Sequence, residues 1–387
     1  MKLFSVKALK ISFFSVLFLL AFCTCRRQLH QKGQNSPDHG INSYAKRYSI
    51  ISGNGYSQLI ITDPWQGAGE VIQKWYLVKS GKRLPPGIKP EETISVPVRK
   101  IVCLSTTHLA MISALKEYNS VKGFSGIDFI YDPIFRKMAQ KEMISEVGYE
   151  DNLNKELILK IAPDLVVAYG IGAESAGYVS KLKELGVKVM FDADYLEEDP
   201  LGKSEWIKVI GALYGKEQMA DSIFNSVVQR YSETKKTVST GNGSRPEVLL
   251  GLPFRDTWYV SPGNSYVSRL IADAGGKYIF SNTTSSFAMP MGIEAVYLKA
   301  LEADYWLNTS TVTTAGEISA MDSRFSGLPA FKKGHVYNNN NRINKEGGND
   351  YWEGGAINPD IILKDIASIL HPGVFPGWQL YYYRKIN

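Results

Sequence analysis

Lys216 to Val238 reads KEQMADSIFNSVVQRYSETKKTV, twenty-three residues without glycine or proline. Met219, Ala220, Ile223, Phe224, Val227, Val228 and Tyr231 recur in it at helical spacing, an apolar stripe on an otherwise polar helix. At about 1.5 Å per residue the helix runs roughly 34 Å, the breadth of a small domain. The chain on either side reads as two similar α/β units. A long helix between two such units implies two lobes, a cleft between them, and a ligand in the cleft. Proline at Gln218 or Gln229 is expected to misplace the lobes.

Upstream, Arg99 to Ser105 reads as a buried strand, followed by Thr106-Thr107-His108 and an amphipathic helix through Leu115. Val121 to Phe124 is a second strand, and a short helix from Glu156 to Ile161 precedes Pro163. Asp164 to Tyr169 is a third strand; the helix Ala176–Leu185, stopped by Gly186, leads to the strand Val187 to Phe191. Downstream the order repeats, with strands at Arg245 to Leu250, Ala303 to Asn308 and Lys333 to Tyr337. Helices run from Asn264 to Ala274 and from Asp360 to Leu370. Strands alternating with helices argue for parallel sheets.

The 387 residues suffice for two domains with real cores, and 44% hydrophobic with 21% charged residues describes a globular chain. Of the formal charge of +6, Lys2, Lys7 and Lys10 account for three, all in a leader. The rest is spread along the chain, which excludes nucleic acid as the expected partner. Ile11 to Phe22 is long enough for a secretory core and short of the roughly 20 residues that span a bilayer. Cys23 and Cys25 follow. The segment resembles a bacterial lipoprotein signal, and Cys25, preceded by the smaller Thr24 rather than Phe22, is the expected lipidated residue. Cys103, in the apolar run Ile101 to Leu104, is expected to be a buried thiol, so no disulfide framework is available.

The expected organisation is a leader over 1–24, a polar tether over 25–47 and a small antiparallel β prelude over 48–95. A first lobe over 96–215, the linking helix over 216–238 and a second lobe over 239–387 follow. Gly53-Asn54-Gly55 marks a hairpin in the prelude. The fold class is α/β, two Rossmann-like lobes with mainly parallel sheets joined by one long helix.

Several blocks together resemble a substrate-binding protein of an ABC importer, of the helical-backbone class that serves vitamin B12, iron-siderophore and haem uptake. They are Arg99 to Ser105, Lys155-Glu156-Leu157-Ile158-Leu159-Lys160-Ile161-Ala162-Pro163-Asp164-Leu165-Val166-Val167, Leu185 to Val189, Trp258 to Tyr266 and Leu270 to Gly276. The prelude and Gly347 to Asn358 look like additions of Bacteroidetes-type lipoprotein members. The resemblance implies a ligand between the lobes, small closure on binding, and a monomer held at the periplasmic side of a membrane by its lipid. It implies that the protein delivers a metal chelate (siderophore, corrinoid or haem) to permease and ATPase subunits. The strand-end loops then place Thr107, His108, Tyr131, Tyr169, Arg255, Trp258, Tyr259, Arg342 and Trp352 as ligand-binding residues. Docking on the transporter through an acid on each lobe points to Glu156 and, in the second lobe, Asp273, with Glu294 as another possibility.

Catalysis finds little support. Gly123-Phe124-Ser125-Gly126 misses the G-x-S-x-G elbow by one position, and no phosphate loop, dinucleotide fingerprint or H-E-x-x-H motif occurs. Asp192 and Asp194 with His108 would be the residues of a cleft hydrolase, a much weaker reading. No cofactor and no protein-held metal are expected: His108 has no second histidine near it, although its ring could reach the metal of a haem or corrinoid. The alternatives kept open are a haem-binding member of the same class and a surface scavenging or adhesion lipoprotein that meets no transporter.

Overall fold

The computed structural model describes residues 39–387 apart from 41, 84–85, 150–151, 171–176, 178–179 and 241–242. The leader, Cys23 and Cys25 and the tether up to residue 38 lie outside the described residues.

The first layer is a five-stranded sheet in the order β1 (His39–Gly40), β2 (Tyr48–Ser52), β3 (Tyr56–Thr62), β4 (Ile72–Lys79) and β5 (Thr93–Val96). The first four pair antiparallel, with the Gly53-Asn54-Gly55 hairpin between β2 and β3, whereas β5 joins β4 in parallel. Leu59, Ile61, Trp75 and Leu77 alternate onto its buried face.

The N-terminal lobe holds β6 (Ile101–Cys103), β7 (Val121–Phe124), β8 (Ser145–Glu146), β9 (Leu165–Ala168) and β10 (Val189–Phe191). Its order is β10-β9-β6-β7-β8, all parallel. The C-terminal lobe holds β11 (Glu247–Leu250), β12 (Thr257–Val260), β13 (Lys277–Tyr278), β14 (Met289–Gly292), β15 (Tyr305–Leu307), β16 (Val336–Asn338) and β17 (Arg384–Lys385). Its main sheet runs β13-β11-β15-β16-β17, parallel except for β17, while β12 and β14 form an antiparallel ribbon. The central strands are buried on both faces, as parallel sheets with helical crossovers require. Pairing of the short β8, β12, β13, β14 and β17 depends on partners distant in sequence, and no local pattern announces them.

The linking helix runs from Glu217 to Ser239, and Ala220, Phe224, Val227, Tyr231 and Thr234 form its fully buried seam. It packs on the Ile207–Tyr214 helix and on the Pro359–Leu370 helix. Gly211 is needed at the first contact, because a Cβ there would lie 2.6 Å from Ala220 Cβ. At its N-terminal end Lys216 Nζ donates to Leu115 O at 2.7 Å, tying it to the first lobe. Further along, Arg230 Nε donates to Asp360 Oδ2 at 2.6 Å and Tyr231 Oη to Asp273 Oδ2 at 2.8 Å, tying it to the second.

Residues 42–47, polar in sequence and read as tether, are instead docked on the first lobe. Glu205, fully buried, accepts the backbone N–H groups of Ser43, Tyr44 and Ala45 at 3.1, 2.9 and 2.8 Å. Glu197 accepts those of Lys46 and Arg47 at 3.0 Å and the indole N–H of Trp206 at 3.2 Å. Main-chain groups make this attachment, so side-chain polarity does not reveal it.

Gln229 lies in mid-helix and Gln218 is the second helical residue. That separates the two proline substitutions, because the first turn tolerates proline and the interior does not. Gln229→Pro is expected to lower stability by about 3 kcal/mol or more, and Gln218→Pro by little, in urea unfolding followed by circular dichroism.

Candidate functional site between the lobes

The C-terminal ends of the parallel strands in both lobes carry the loops expected to meet a ligand. The structure separates those loop residues into three groups.

His108 and Trp258 belong to the interior. His108 follows the Ser105 N-cap in the Thr106–Ala114 helix and has no solvent exposure. Its Nε2 lies 3.8 Å from Asp192 Oδ2, too far for a hydrogen bond. Burial holds its pKa at about 3, so the ring is neutral at physiological pH. Burial also raises Asp192 and Asp194, and Lys203 Nζ sits 3.8 Å from Asp194. This is a closed polar layer, and the expectation that His108 reaches a ligand is corrected by it. Trp258 is 1% exposed, donates its indole N–H to Leu250 O at 3.0 Å and stacks on Trp306 at 6.1 Å. It is a core residue of the second lobe, not a cleft wall.

Tyr131 and Arg342 form a bolt between the lobes. The Arg342 guanidinium lies 5.2 Å from the Tyr131 ring and 4.2 Å from that of Tyr381, and its Nε donates to Asp350 at 2.6 Å. Around it, Glu353 accepts the backbone N–H groups of Tyr131 and Asp132 at 2.8 and 2.7 Å. Asn344 Nδ2 donates to Ile130 O at 2.9 Å, and Arg136 pairs with Glu346 at 2.9 Å. Gly348 packs so closely that a Cβ would lie 2.7 Å from Phe129 O. Residues 342–353 are thus a strap from the second lobe to the first. Sequence reasoning missed Glu353 because an acid that caps a distant backbone has no local signature.

Open wall positions are the third group. Thr107 is half-buried beside Ser105, with their hydroxyls 3.1 Å apart. Tyr169, half-buried, packs edge-on to Tyr195 at 6.3 Å. Tyr195 donates to Gly170 O and accepts from the N–H of Gln66, a prelude residue. In the second lobe and the strap, Arg255 is exposed at φ +54° beside Phe254, and Tyr259 and Trp352 are 56% and 58% exposed. These positions present aromatic rings, a hydroxyl and the exposed Arg255 guanidinium, chemistry suited to a bulky ligand with anionic edges.

A cavity of about 330 Å³ opens at the ends of β15 and β16, lined among others by Asn308, Thr311, Asn340, Trp352 and Arg384. Among the described residues, no group of three or more His, Cys, Asp or Glu side chains is placed to hold a metal ion.

Of the acids considered for docking, Glu156 is exposed in the first turn of the Lys155–Ile161 helix, which Asn154 caps by accepting from Leu157 N at 2.9 Å. Asp273 is already engaged by Tyr231, by Lys235 at 2.7 Å and by Arg269 at 3.3 Å. Its side chain is 9% exposed, a brace on the linking helix rather than a free acid. Glu294 is exposed, with Arg324 at 3.4 Å.

Residues 101–342, from β6 through β16, match the family model described as periplasmic binding protein. The chain belongs to the periplasmic binding protein family. An uncharacterized lipoprotein of Methanocaldococcus jannaschii is 28% identical over 374 residues, covering 90% of this chain and 86% of that one. A second from the same organism is 27% identical over 372 residues, covering 92% and 90%. These relatives lend no support to a Bacteroidetes grouping for the additions. Among solved structures, a periplasmic heme binding protein from Pseudomonas aeruginosa shares the fold at a TM-score of 0.58 and 15% identity, covering 75% of this chain and 98% of that one. A periplasmic vitamin B12 binding protein of Vibrio cholerae does so at 0.51 and 14%, covering 71% and 97%. Among the described residues of this binding protein, no helix is long and apolar enough to cross a membrane.

The strap carries a pH signature. Burial raises the Glu353 carboxyl to about 8, against backbone hydrogen bonds that lower it. Unfolded, the group ionises near its ordinary value of 4.5. Its contribution to stability is therefore full below the unfolded value and is lost as pH rises through about 8. Calorimetry is expected to show the melting temperature falling across that interval. Glu353→Gln should flatten the slope while lowering stability on the acid side by about 1–3 kcal/mol, because one of the two N–H donors loses its acceptor.

Proposed function

We propose that this periplasmic binding protein captures an iron- or cobalt-containing chelate between its lobes and delivers it to an ABC importer. It does so as a lipoprotein anchored through Cys25 at the periplasmic face of a membrane. The observation that carries this reading is the match over residues 101–342 laid on two parallel-sheet lobes joined by a single braced helix. Solved proteins that share this fold include ones named for heme and for vitamin B12. The open walls supply what such a ligand needs: Tyr169, Tyr259 and Trp352 present rings, and Arg255 presents a guanidinium to ligand carboxylates.

The protein needs no covalent step for this role. Binding excludes water from the aromatic walls, and release follows from contact with the membrane subunits. Glu156, exposed on a capped helix, is the proposed contact for arginines of the permease on the first lobe. Asp273 is committed to the linking helix, so the exposed Glu294 is the better proposal for the second.

Native mass spectrometry of the protein from its own host, with titrations of cyanocobalamin, haemin and ferric siderophores, is expected to show one bound chelate with micromolar or tighter affinity. Failure of every such compound at that level would overturn the assignment. Exchange of Glu156 for Arg is expected to abolish cellular uptake and leave affinity unchanged; uptake at the parental rate would remove Glu156 from the docking surface.

A further inference from the structure

Lobes held by a helix and a strap leave the entry of a ligand to loops, and the strand orders say where those loops meet. In the order β10-β9-β6-β7-β8 the loops after β9 and β10 stand at one end of the first sheet and the loop after β7 at the other. The strap fastens residues 130–132, after β7. It leaves from β16, near the β17 end of the order β13-β11-β15-β16-β17. Thr107 follows the central strand β6, and Arg255 and Tyr259 follow β11, so these positions lie between the two ends. At the end without a strap, the loops after β9 and β10 meet the loop after β13.

Residues 63–71, the prelude loop between β3 and β4, occupy that end. The Gln66 N–H is shared between Gly170 O at 3.2 Å and Tyr195 Oη at 3.1 Å, in the loops after β9 and β10. Trp65 packs on Phe191 of β10 with ring centroids 5.0 Å apart. From this anchor on the first lobe, Gln66 Nε2 donates to Ser286 O at 3.4 Å, in the loop between β13 and β14. Among the described residues this is the single hydrogen bond from the prelude loop to the second lobe.

The two ends differ in what opening them costs. The strap buries Glu353 and Gly348, and breaking it strands main-chain donors away from their acceptor. The Gln66–Ser286 bond is long, neutral and exposed, so water replaces it at small cost. The second-lobe loop is divided in the same way. Ser285 N donates to Asn264 Oδ1 at 3.1 Å, and Asn264 Nδ2 donates to Glu198 Oε1 of the first lobe at 2.7 Å. Beyond that anchor Ser286, Phe287 and Ala288 are all exposed before β14 begins.

We propose that residues 63–71 and 286–288 form a side gate to the interlobe cleft, with Gln66 as its latch. The inference rests on the reading of a ligand between the lobes and adds how it enters. The loops part at the β10 and β13 end while helix and strap keep the lobes in place. Gln66 is thus a positioning residue, and loosening it speeds entry and exit alike.

Gln66→Ala and Gln66→Glu, the latter unable to donate to the Ser286 carbonyl, test the latch in the full chain. A Tyr169→Cys reporter behind the gate is labelled with fluorescein maleimide, a probe of ligand-like bulk. Cys103 has no exposure, and the parental chain labelled in parallel gives the background. Either latch substitution is expected to raise the labelling rate roughly threefold or more. Thr107→Cys is the second reporter should Tyr169→Cys fail to fold, and melting temperatures confirm that each variant is folded. Labelling at the unlatched and latched rates alike overturns the gate. For any of cyanocobalamin, haemin and ferric siderophores that binds, stopped-flow is expected to show association and dissociation accelerated by the same factor, with Kd unchanged. A Kd weakened through dissociation alone makes Gln66 a ligand contact and overturns the latch. Faster labelling with no chelate binding leaves the gate standing and removes the chelate reading. Chelate binding with unaltered labelling does the reverse.

Discussion

Everything between the lobes depends on how the Glu217–Ser239 helix is gripped at its two ends. Its apolar seam is necessary, but a smooth stripe alone would let the helix slide or roll against its neighbours. Asp360 and Asp273 prevent this. Both sit on second-lobe helices, both are largely buried, and they hold Arg230, Tyr231 and Lys235 from one face of the linking helix. Removing Arg230 would leave the buried Asp360 without its cation. The contacts therefore specify register as well as adhesion. With the first lobe tied through Lys216 and the Gly211–Ala220 contact, the lobe separation is set before any ligand arrives.

A second device recurs in the additions to this frame: a buried carboxylate on a helix or turn accepts several successive backbone N–H groups from a remote loop. Glu205 and Glu197 hold residues 43–47, Glu353 holds Tyr131 and Asp132, and Asp365 holds the N–H groups of Tyr381, Tyr382 and Tyr383. Asp365 also accepts from the Trp378 indole at 2.8 Å. Bonds of this kind go to main-chain donors and are indifferent to the loop's side chains. The prelude, the strap and the C-terminal tail can thus each be fastened while their sequences stay free to vary. By fixing residues 381–383, Asp365 also fixes where Arg384 begins.

This device explains the pattern of what could be read from sequence. The linking helix, the strands β6, β7, β9, β11, β15 and β16, and the hairpin at Gly53 to Gly55 follow from periodicity and turn chemistry, and the structure contains them. Trp258 and His108 misled because a position at a strand end does not say which way a side chain turns. Trp258 has a carbonyl partner inside, and His108 lies on the buried face of its helix. Asp273 misled because alignment placed an acid without showing that Tyr231 and Lys235 were waiting for it. Glu353, Glu205 and Arg384 were illegible because each acts on a segment tens to hundreds of residues away.

The strap changes what binding requires of this protein. One helix behind the lobes limits hinge closure, and the Glu353, Asn344 and Arg342 contacts bridge the lobes a second time. Two bridges allow little rigid-body motion, so the energy of closing around a ligand is largely unavailable for discrimination. Affinity must come from groups already in place, which lowers the ordering cost on association but leaves little room to adapt to a poor fit. A preorganised cleft of this kind selects by shape and by polar groups that only the right ligand can satisfy.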